Sequence, residues 1–258
     1  MNLKIHGNFF LICGASSGFG KAIATALMNE GANVLAIARN EERLNALESS
    51  FPDQCETLAG DLTQQATIEK ISDKVAGRTP AGIVLNSGGP PTGDAQDTTG
   101  EDWDSAYKSV FRWKAEIIRH LLPALKSAEY GRILFIESQS IKQPIPKLAQ
   151  SNALRAAVAG YAKTLSQEVA SIGITVNILA PGSHNTPAIE RVIASRQEEW
   201  ELSYEDARLA MENQVPVKRF GDADEMASLA AWLLSPLSGY VTGQVISHDG
   251  GKITGLFG

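Results

Sequence analysis

The sequence predicts an α/β fold, a single domain in which a doubly wound parallel sheet lies between two layers of helices. Three observations predict it. Short apolar runs alternate with helical patterns along almost the whole chain, these runs are continuously apolar, and no linker or low-complexity segment separates them. A strand covered by helices on both faces has no solvent side, so its sequence stays apolar throughout. The expected architecture is therefore a three-layer α/β/α domain over residues 1–258.

The elements of this domain follow in a regular order. Six continuously apolar runs predict buried strands, and the amphipathic stretches between them predict six helices. The strands are expected at 9–13, 34–38, 83–85, 133–136, 174–179 and 244–247. The helices are expected at 20–30, 41–49, 65–76, 101–127, 151–171 and 223–235.

One segment, 184–215, departs from this rhythm because it is polar and helical in pattern and precedes the last helix. Ligands of open α/β sheets bind beyond the carboxyl ends of the strands, where this segment falls. It therefore predicts a substrate lid, and a purely structural excursion remains the alternative. Trp200, Tyr204 and several carboxylates in it suit a polar or cationic ligand.

Composition narrows the function. The formal net charge is -6 with no cluster of Lys and Arg, which argues against nucleic acid as a partner. No apolar run approaches the roughly 20 residues of a membrane span, and residues 1–7 do not resemble a signal segment, so a cytoplasmic protein is expected. Cys13 and Cys55 suggest no disulfide framework, and the His and Cys residues lack the spacing of a metal site.

A glycine-rich turn follows the first predicted strand and leads directly into the first helix. It reads Gly14-Ala-Ser-Ser-Gly18-Phe-Gly20. Glycines in this position allow a tight turn and a close approach of the backbone to a pyrophosphate at the positive helix N-terminus. The motif predicts a Rossmann-type dinucleotide site, and a merely structural turn is the alternative. The contacting residues are expected to be Gly14, Ser16, Ser17, Gly18, Phe19 and Gly20.

The Gly-x-x-x-Gly-x-Gly spacing resembles the short-chain dehydrogenase/reductase family, and further motifs extend the resemblance over nearly the whole chain. These are Asp61-Leu62, Asn86-Ser-Gly88-Gly89, Asn177 with Pro181-Gly182 and Thr186, Gly221-Asp-Ala-Asp-Glu, Tyr240-Val-Thr-Gly243-Gln and Asp249-Gly-Gly251. The resemblance implies adenine contacts at Asp61 and Leu62, and further cofactor contacts at Asn86, Gly88, Pro181, Gly182 and Thr186. It also implies a small-molecule substrate and a homodimer or homotetramer.

The end of the second strand indicates which coenzyme is used. Members that bind NAD(H) place an Asp there to hold the ribose hydroxyls, whereas a 2′-phosphate needs a small residue and a cation. Ala38 occupies the Asp position and Arg39 follows, with hydroxyl donors available from Ser16 and Ser17. NADP(H) is therefore favoured over NAD(H), and a solvated surface Arg39 is the alternative reading.

The resemblance fails at the catalytic residues. Family members use a Ser to position a carbonyl, a Tyr to transfer the proton, a Lys four residues later and a helical Asn. Ser138 remains, but Ser151 stands at the Tyr position and Arg155 at the Lys position. Val110, seven residues after Trp103, replaces the Asn.

The two replacements still share a face, because residues four apart on a helix are neighbours. Arg155 is expected to contact the ribose and to present a fixed positive charge to an oxyanion, but its pKa exceeds 12 and it is no acid at neutral pH. A Ser151 hydroxyl donates hydrogen bonds yet is also a poor acid. Tyr161 lies well over two turns from Ser151 and does not substitute for the missing Tyr.

Four other groups are candidates for the proton source. Glu137 precedes Ser138, so strand alternation turns it to the opposite face and favours a structural or interface role. Lys142 and Lys147 lie in the loop before Ser151, where solvated lysines are common. His184 follows Pro181-Gly182 and titrates near neutral pH, although a hydrogen-bonded loop His is the usual reading.

Three functions remain open at this point. The favoured one is an NADP(H)-dependent oxidoreductase of a carbonyl or alcohol, with Ser138, Ser151 and Arg155 as a variant catalytic site. The second is a non-catalytic dinucleotide-binding protein that acts as a sensor or assembly partner. The third is a non-redox isomerase or lyase in which Arg155 stabilises an oxyanion. Helices 101–127 and 151–171 would form a subunit interface, although their apolar positions Val158 and Leu165 could equally face the sheet.

Overall fold

The structure, a computed structural model, describes residues 2–256; Met1, Phe257 and Gly258, at the ends of the predicted domain, lie outside the described residues. A parallel sheet of seven strands forms its middle layer. The strands are β1 Phe9–Cys13, β2 Asn33–Ala38, β3 Cys55–Ala59, β4 Gly82–Asn86, β5 Gly131–Ile136, β6 Ile174–Pro181 and β9 Val245–His248. The α/β fold and its doubly wound sheet are thus confirmed.

The six apolar runs all fall on strands, but they omit β3. This strand lies at the edge of the sheet, and its Glu56 and Thr57 are only half-buried. An edge strand keeps contact with solvent, so it needs no continuous apolar run and escapes a search for one.

Helices cover both faces of the sheet. They are α1 Gly18–Asn29, α2 Glu41–Ser50, α3 Gln65–Val75, α4 Gly100–Tyr107, α5 Trp113–Ser127, α6 Ala149–Val169, α7 Pro187–Trp200, α8 Tyr204–Asn213 and α9 Ala223–Leu233. The single helix predicted at 101–127 is wrong in detail, because the wider π-helical turn Lys108–Arg112 separates α4 from α5. Within residues 2–256, no helix is both long and apolar enough to cross a membrane.

Side chains of each strand alternate between two cores. In β1, Phe10 and Ile12 pack towards α1 and α9, whereas Leu11 and Cys13 pack towards α5 and α6. Val158 and Leu165 of α6 belong to the second core, so these two residues face the sheet of their own chain. Burial of such apolar surface is the main stabilising contribution to the fold.

The strand order places a cleft at one edge of the sheet. The order is β3-β2-β1-β4-β5-β6-β9, so the chain reverses its direction of winding between β1 and β4. Loops that follow the carboxyl ends of β1 and β4 leave towards opposite faces and open a crevice between them. This position is where the glycine-rich turn after β1 lies.

The segment 184–215 forms a small folded unit above that crevice. It contains α7 and α8, which pack on each other through a third apolar cluster of Ile189, Ile193, Ala207, Met211 and Phe220. A short parallel pair of strands, β7 His184–Asn185 and β8 Gly221–Asp222, joins its two ends. Helices in this segment agree with its sequence pattern.

Candidate active site

A cavity of about 1420 Å³ lies beyond the carboxyl ends of the strands. The glycine-rich turn, the strand ends and the segment 184–215 form its walls. Sixteen of the predicted site residues line it: Gly14, Ser16, Ser17, Gly18, Phe19, Arg39, Asp61, Leu62, Asn86, Gly88, Ser138, Ser151, Arg155, Pro181, Gly182 and Thr186. Residues predicted from separate motifs therefore share one site.

Gly20 is the exception, because it does not line the cavity. A Cβ on Gly20 would lie 2.1 Å from the carbonyl oxygen of Gly14, and a Cβ on Gly14, whose φ is +70°, would lie 2.7 Å from the carbonyl oxygen of Asn86. Both glycines are therefore required by close packing. The structure gives Gly20 a role in the close approach of α1 to the turn, and its contact with a cofactor stays a prediction.

The N-terminus of α1 points at the cavity with its backbone donors available. Ser17 occupies the N-cap and makes no side-chain hydrogen bond to the helix. The first N–H groups of a helix have no partner within it and carry partial positive charge, which favours an anion such as a pyrophosphate. This end of the cavity is therefore a phosphate-type site.

A second cation accompanies Arg39 where β2 ends. Ala38 is buried, whereas Arg39 and Arg43 both line the cavity. The side chain of Asn40 accepts a hydrogen bond of 2.8 Å from the backbone N–H of Arg43 and so begins α2 at this point. Sequence analysis missed Arg43; its position one helical turn beyond Arg39 was the available signal.

Four buried side chains form a continuous network at the other end of the cavity. Arg155 Nε donates to Ser151 Oγ at 3.1 Å, and Arg155 Nη1 donates to Glu137 Oε2 at 2.9 Å. Lys114 Nζ donates to the second oxygen, Glu137 Oε1, at 2.5 Å. We call these residues the Glu137 cluster. It fixes the guanidinium of Arg155 between a carboxylate and the hydroxyl of Ser151.

The charges of this cluster determine its behaviour. Lys114 and Glu137 are almost fully buried, and a buried ion is tolerated only when it is paired. Burial lowers the pKa of Lys114, and the Glu137 carboxylate opposes that shift. With all three groups ionised, two cations share one anion, so one positive charge at this end of the cavity remains uncompensated.

Two hydroxyl groups lie at the same end. Ser138 Oγ accepts a hydrogen bond of 3.1 Å from the backbone N–H of Ser140, and Ser151 Oγ accepts one from Arg155. Within the described residues neither hydroxyl donates a hydrogen bond, so both can donate to a bound molecule. Two donors beside a fixed cation are suited to stabilising an oxyanion.

Comparison with known proteins identifies the family. Residues 14–252 match the family described as enoyl-(acyl carrier protein) reductase. The chain is 30% identical over 254 residues to the NADPH-dependent reductase BacG of Bacillus subtilis, covering 95% of this chain and 97% of BacG. It is also 30% identical over 255 residues to the 3-oxoacyl-[acyl-carrier-protein] reductase FabG of Escherichia coli, covering 96% and 98% of the two chains. The chain belongs to the short-chain dehydrogenase/reductase family.

Solved structures agree with this assignment. YwfH, an NADPH-dependent reductase involved in bacilysin biosynthesis, superposes with a TM-score of 0.92 at 27% identity, covering 97% of this chain and 100% of YwfH. L-Sorbose reductase from Gluconobacter frateurii, complexed with NADPH and L-sorbose, gives a TM-score of 0.92 at 25% identity, covering 99% and 100%. As a short-chain dehydrogenase/reductase, the chain is an oxidoreductase, and its relatives named here are reductases.

Glu137 lies closer to the site of this short-chain dehydrogenase/reductase than strand alternation predicted. Strand alternation does place Glu137 and Ser138 on opposite faces, since Ile136 packs with α1 and Phe135 with α6. The face that Glu137 shares with Phe135 is nevertheless the one that α5 and α6 cover, and Arg155 belongs to α6. The carboxylate therefore reaches the cavity wall and Arg155 instead of turning away from the site.

Lys114 was missed entirely by sequence analysis. It stands in the apolar stripe of α5 with Ile117, Ile118 and Leu121, at the i, i+3, i+4, i+7 spacing of a buried helix face. A Lys in a core stripe needs a buried partner. The place of Lys114 in this stripe was therefore the signal for a buried ion pair. The stripe does not indicate that Glu137 is the partner.

The position expected to carry the family's Asn lies in the π-helical turn. Val110 is buried there and does not reach the cavity, whereas its neighbour Ser109 and the first residue of α5, Trp113, line the wall. Trp113 Nε1 donates to the carbonyl of Ser109 at 2.9 Å. π-helical turns are frequent at functional sites, and this one determines which side chains of the segment face the cavity.

The other candidate proton donors are poorly placed. His184 Nδ1 lies 3.1 Å from the carbonyl oxygen of Gly182, and its Nε2 lies 2.8 Å from Nδ1 of His248. Burial lowers the pKa of His184, so the ring is largely neutral at pH 7. Lys142 and Lys147 do not line the cavity. Burial raises the pKa of the Cys13 thiol, which is therefore an unreactive core residue.

Proposed function

We propose that the chain is an NADP(H)-dependent reductase of carbonyl compounds in which Ser138, Ser151 and Arg155 form the catalytic site. The observation that carries the proposal is the hydrogen-bonded position of Arg155 on the cavity wall, between Ser151 and Glu137. The cation replaces the family's Lys in place, and two hydroxyl donors lie at the same end of the cavity. Random replacement of the catalytic residues would not be expected to leave a cation beside two hydroxyl donors.

The residues fit a bound NADP(H). The turn at Gly14 and the open N-terminus of α1 suit a pyrophosphate, and Arg39 with Arg43 suits a 2′-phosphate, because a guanidinium can make paired charge-assisted hydrogen bonds. Ser87 Oγ, on the same wall, is buried without a hydrogen-bond partner among the described residues. The relatives named NADPH-dependent, BacG and YwfH, support the same coenzyme.

When bound, NADPH supplies the hydride, and the residues of the chain hold the substrate. Ser138 and Ser151 donate hydrogen bonds to the carbonyl oxygen, and the fixed charge of Arg155 stabilises the negative charge that grows there. A single well-placed oxyanion donor typically contributes about 10²- to 10³-fold to the rate. Glu137 and Lys114 are positioning residues, because they hold Arg155 without touching the substrate.

The proton takes a different route from that of the family's Tyr. Arg155 does not release a proton near neutral pH, and the Ser151 hydroxyl passes one on only if it is reprotonated. Water in the open cleft is therefore the final proton source for the alcohol. The rate of this chain should accordingly depend weakly on pH around neutrality, since no acid of intermediate pKa is required.

The segment 184–215 is proposed as the substrate lid. Its side chains Ala188, Val192, Trp200, Met211 and Val215 line the cavity opposite the Glu137 cluster. A folded unit in this position can hold the substrate against the other wall of the cavity. Homodimer or homotetramer formation and a cytoplasmic location remain predictions.

The test is a titration with NADPH and NADH, followed by turnover of a carbonyl panel by wild type and Arg155→Ala. We expect micromolar binding of NADPH, weaker binding of NADH and about a 10²- to 10³-fold lower kcat in the variant. The exposed Arg119 on α5, changed to Ala, is the matched control and should retain full activity. NADPH binding without turnover would favour a sensor or a non-redox enzyme, and failure to bind either coenzyme would refute the proposal.

A further inference from the structure

The charges of the proposed lid are segregated. Its cations Arg191 and Arg196 line the cavity, together with Lys252 from the C-terminal segment. Its carboxylates do not line the cavity. Four of the seven have a side-chain partner within the lid: Glu190 with Tyr204, Glu199 with Arg196, Asp206 with Ser203 and Glu212 with Arg208. The sequence suggested a polar or cationic ligand from those carboxylates, and the structure turns them away from the cavity.

The rest of the wall does not compensate these cations. Among the described residues, only two carboxylates line the cavity, Asp61 and Glu137. Glu137 is already shared between Lys114 and Arg155, and Asp61 accepts hydrogen bonds from the backbone and side chain of Thr63 after β3, on the opposite side of the sheet from the lid. The lid side of the cavity is therefore positively charged.

Arg191 is the cation best able to receive a ligand. Within residues 2–256 it makes no ion pair and no side-chain hydrogen bond, although it lines the cavity. Arg196 is paired with Glu199 and lies over the ring of Trp200. Lys252 is fixed by hydrogen bonds of 3.2 Å to the backbone and side-chain oxygens of Gln214, which directs a second cation to the same wall.

We propose that the substrate is an anionic carbonyl compound, whose carboxylate or phosphate group is bound by Arg191 and Lys252 while its carbonyl lies at Ser138 and Arg155. This deepens the proposed function and rests on it. Apolar lining from Ile189, Val192 and Met211 suits a hydrocarbon part between the two groups. A guanidinium binds a carboxylate or phosphate in a planar, paired geometry, so the anion would also orient the substrate.

The coenzyme is the competing partner for Arg191, because its pyrophosphate is also anionic. The N-terminus of α1 and the glycine-rich turn already provide a site for that group. Substitution of Arg191 distinguishes binding of the substrate from binding of the pyrophosphate. If Arg191 binds substrate, its loss leaves the Kd of NADPH unaltered; if it binds the pyrophosphate, the Kd rises for every substrate used.

The experiment compares three sets of ketones: 2- and 3-oxo carboxylates of four to eight carbons, their methyl esters, and phosphate esters of hydroxyketones. For wild type we expect kcat/KM to favour one of the two anionic sets over the esters by about 10-fold or more. Arg191→Gln should remove most of that preference, mainly through KM, with the Kd of NADPH unchanged. Which anionic set is preferred distinguishes carboxylate from phosphate.

The matched control is Arg208→Gln. Arg208 is also a lid cation, but it pairs with Glu212 and Asn185 and does not line the cavity. It should keep the wild-type preference. Equal turnover of esters and anions by wild type, or an equal loss for both sets in Arg191→Gln, would refute the inference.

Calorimetric binding of the same carboxylates and phosphate esters to the protein, with and without NADP⁺, separates this inference from the proposed function. Binding of NADP⁺ without binding of any anionic ketone would overturn the anion site and leave the coenzyme assignment intact. Binding of an anion that Arg191→Gln weakens about 10-fold, even without turnover, would support the site. An anion that binds wild type and Arg191→Gln equally would refute it.

Discussion

The two ends of the cavity are built in different ways. At the coenzyme end, the proposed contacts come from backbone and small side chains in short loops, chiefly the turn Gly14–Gly20 and the strand end at Asn86. At the reacting end, the contacts come from charged side chains on α5, on α6 and directly after β5, which meet at Glu137. We expect the first end to follow the family pattern and the second end to depart from it.

This difference shows which part of a site can change. A turn whose glycines are needed for close packing tolerates little substitution, because a Cβ at Gly20 would overlap the backbone. Side chains that protrude into the cavity can be exchanged if their charges are balanced. Arg155, at the position where the resemblance implies a Lys, is accompanied here by a buried carboxylate and a second cation, so two cations share one anion at the reacting end.

The largest effect is expected when the carboxylate that Lys114 and Arg155 share is removed. Glu137→Gln leaves Lys114 and Arg155 as two buried cations without an anion, and breaking a buried ion pair typically costs about 3–5 kcal/mol. Urea unfolding should therefore show a large loss in the free energy of unfolding. Deprotonation of Lys114, favoured by its lowered pKa, would make the loss smaller at high pH.

Lys114→Met is the informative partner variant. It removes one cation and leaves Glu137 paired with Arg155, so the loss of stability should be clearly smaller than for Glu137→Gln. The double variant should recover part of the loss, because only one cation then remains. A change of less than about 0.5 kcal/mol in Glu137→Gln, the size of an ordinary surface substitution, would contradict the structural role of the cluster.

A smaller effect is expected at the coenzyme end. Arg39→Ala should weaken NADPH binding by about 10- to 100-fold and change NADH binding little, because only NADPH carries the 2′-phosphate. Fluorescence titration measures both constants. Arg43→Ala should act in the same direction, and Arg119→Ala should have no effect because Arg119 does not line the cavity. Equal weakening of the two coenzymes would show that Arg39 does not recognise the phosphate.

The smallest effect is expected for His184, and it concerns the dependence of stability on pH. Burial lowers the pKa of His184 below its ordinary value of 6.5, so the unfolded chain takes up a proton before the folded one does. The stabilising contribution of this His is fully present above about pH 6.5 and is lost as the pH falls through the folded pKa. Thermal unfolding between pH 5 and 8 should show a shallower acid slope for His184→Gln.

The exposed His6, changed to Gln, serves as control for that slope. It should reproduce the wild-type slope, since its side chain is accessible in the folded and unfolded states. A slope unchanged in His184→Gln would mean that burial does not lower the pKa of His184.

Local patterns were sufficient for most of the fold. Three predicted features line the cavity as expected: the glycine-rich turn, the strand ends and the sequence Ala38-Arg39. Each depends on residues that are adjacent in the chain. Errors arose where the answer depended on distant residues. The turn between α4 and α5 packs on α6, and the edge strand β3 is defined by its pairing with β2.

The sequence by itself determined the doubly wound sheet and the glycine-rich turn after β1. It also predicted Ser151 and Arg155 at the positions where the resemblance implies a Tyr and a Lys. These follow from periodicity and short spacing, which local backbone geometry fixes. Only the tertiary structure decided that Lys114, Glu137 and Arg155 form one buried network, and that the lid presents cations to the cavity. Ion pairs between separate elements depend on how helices pack on the sheet, and no local pattern specifies that packing.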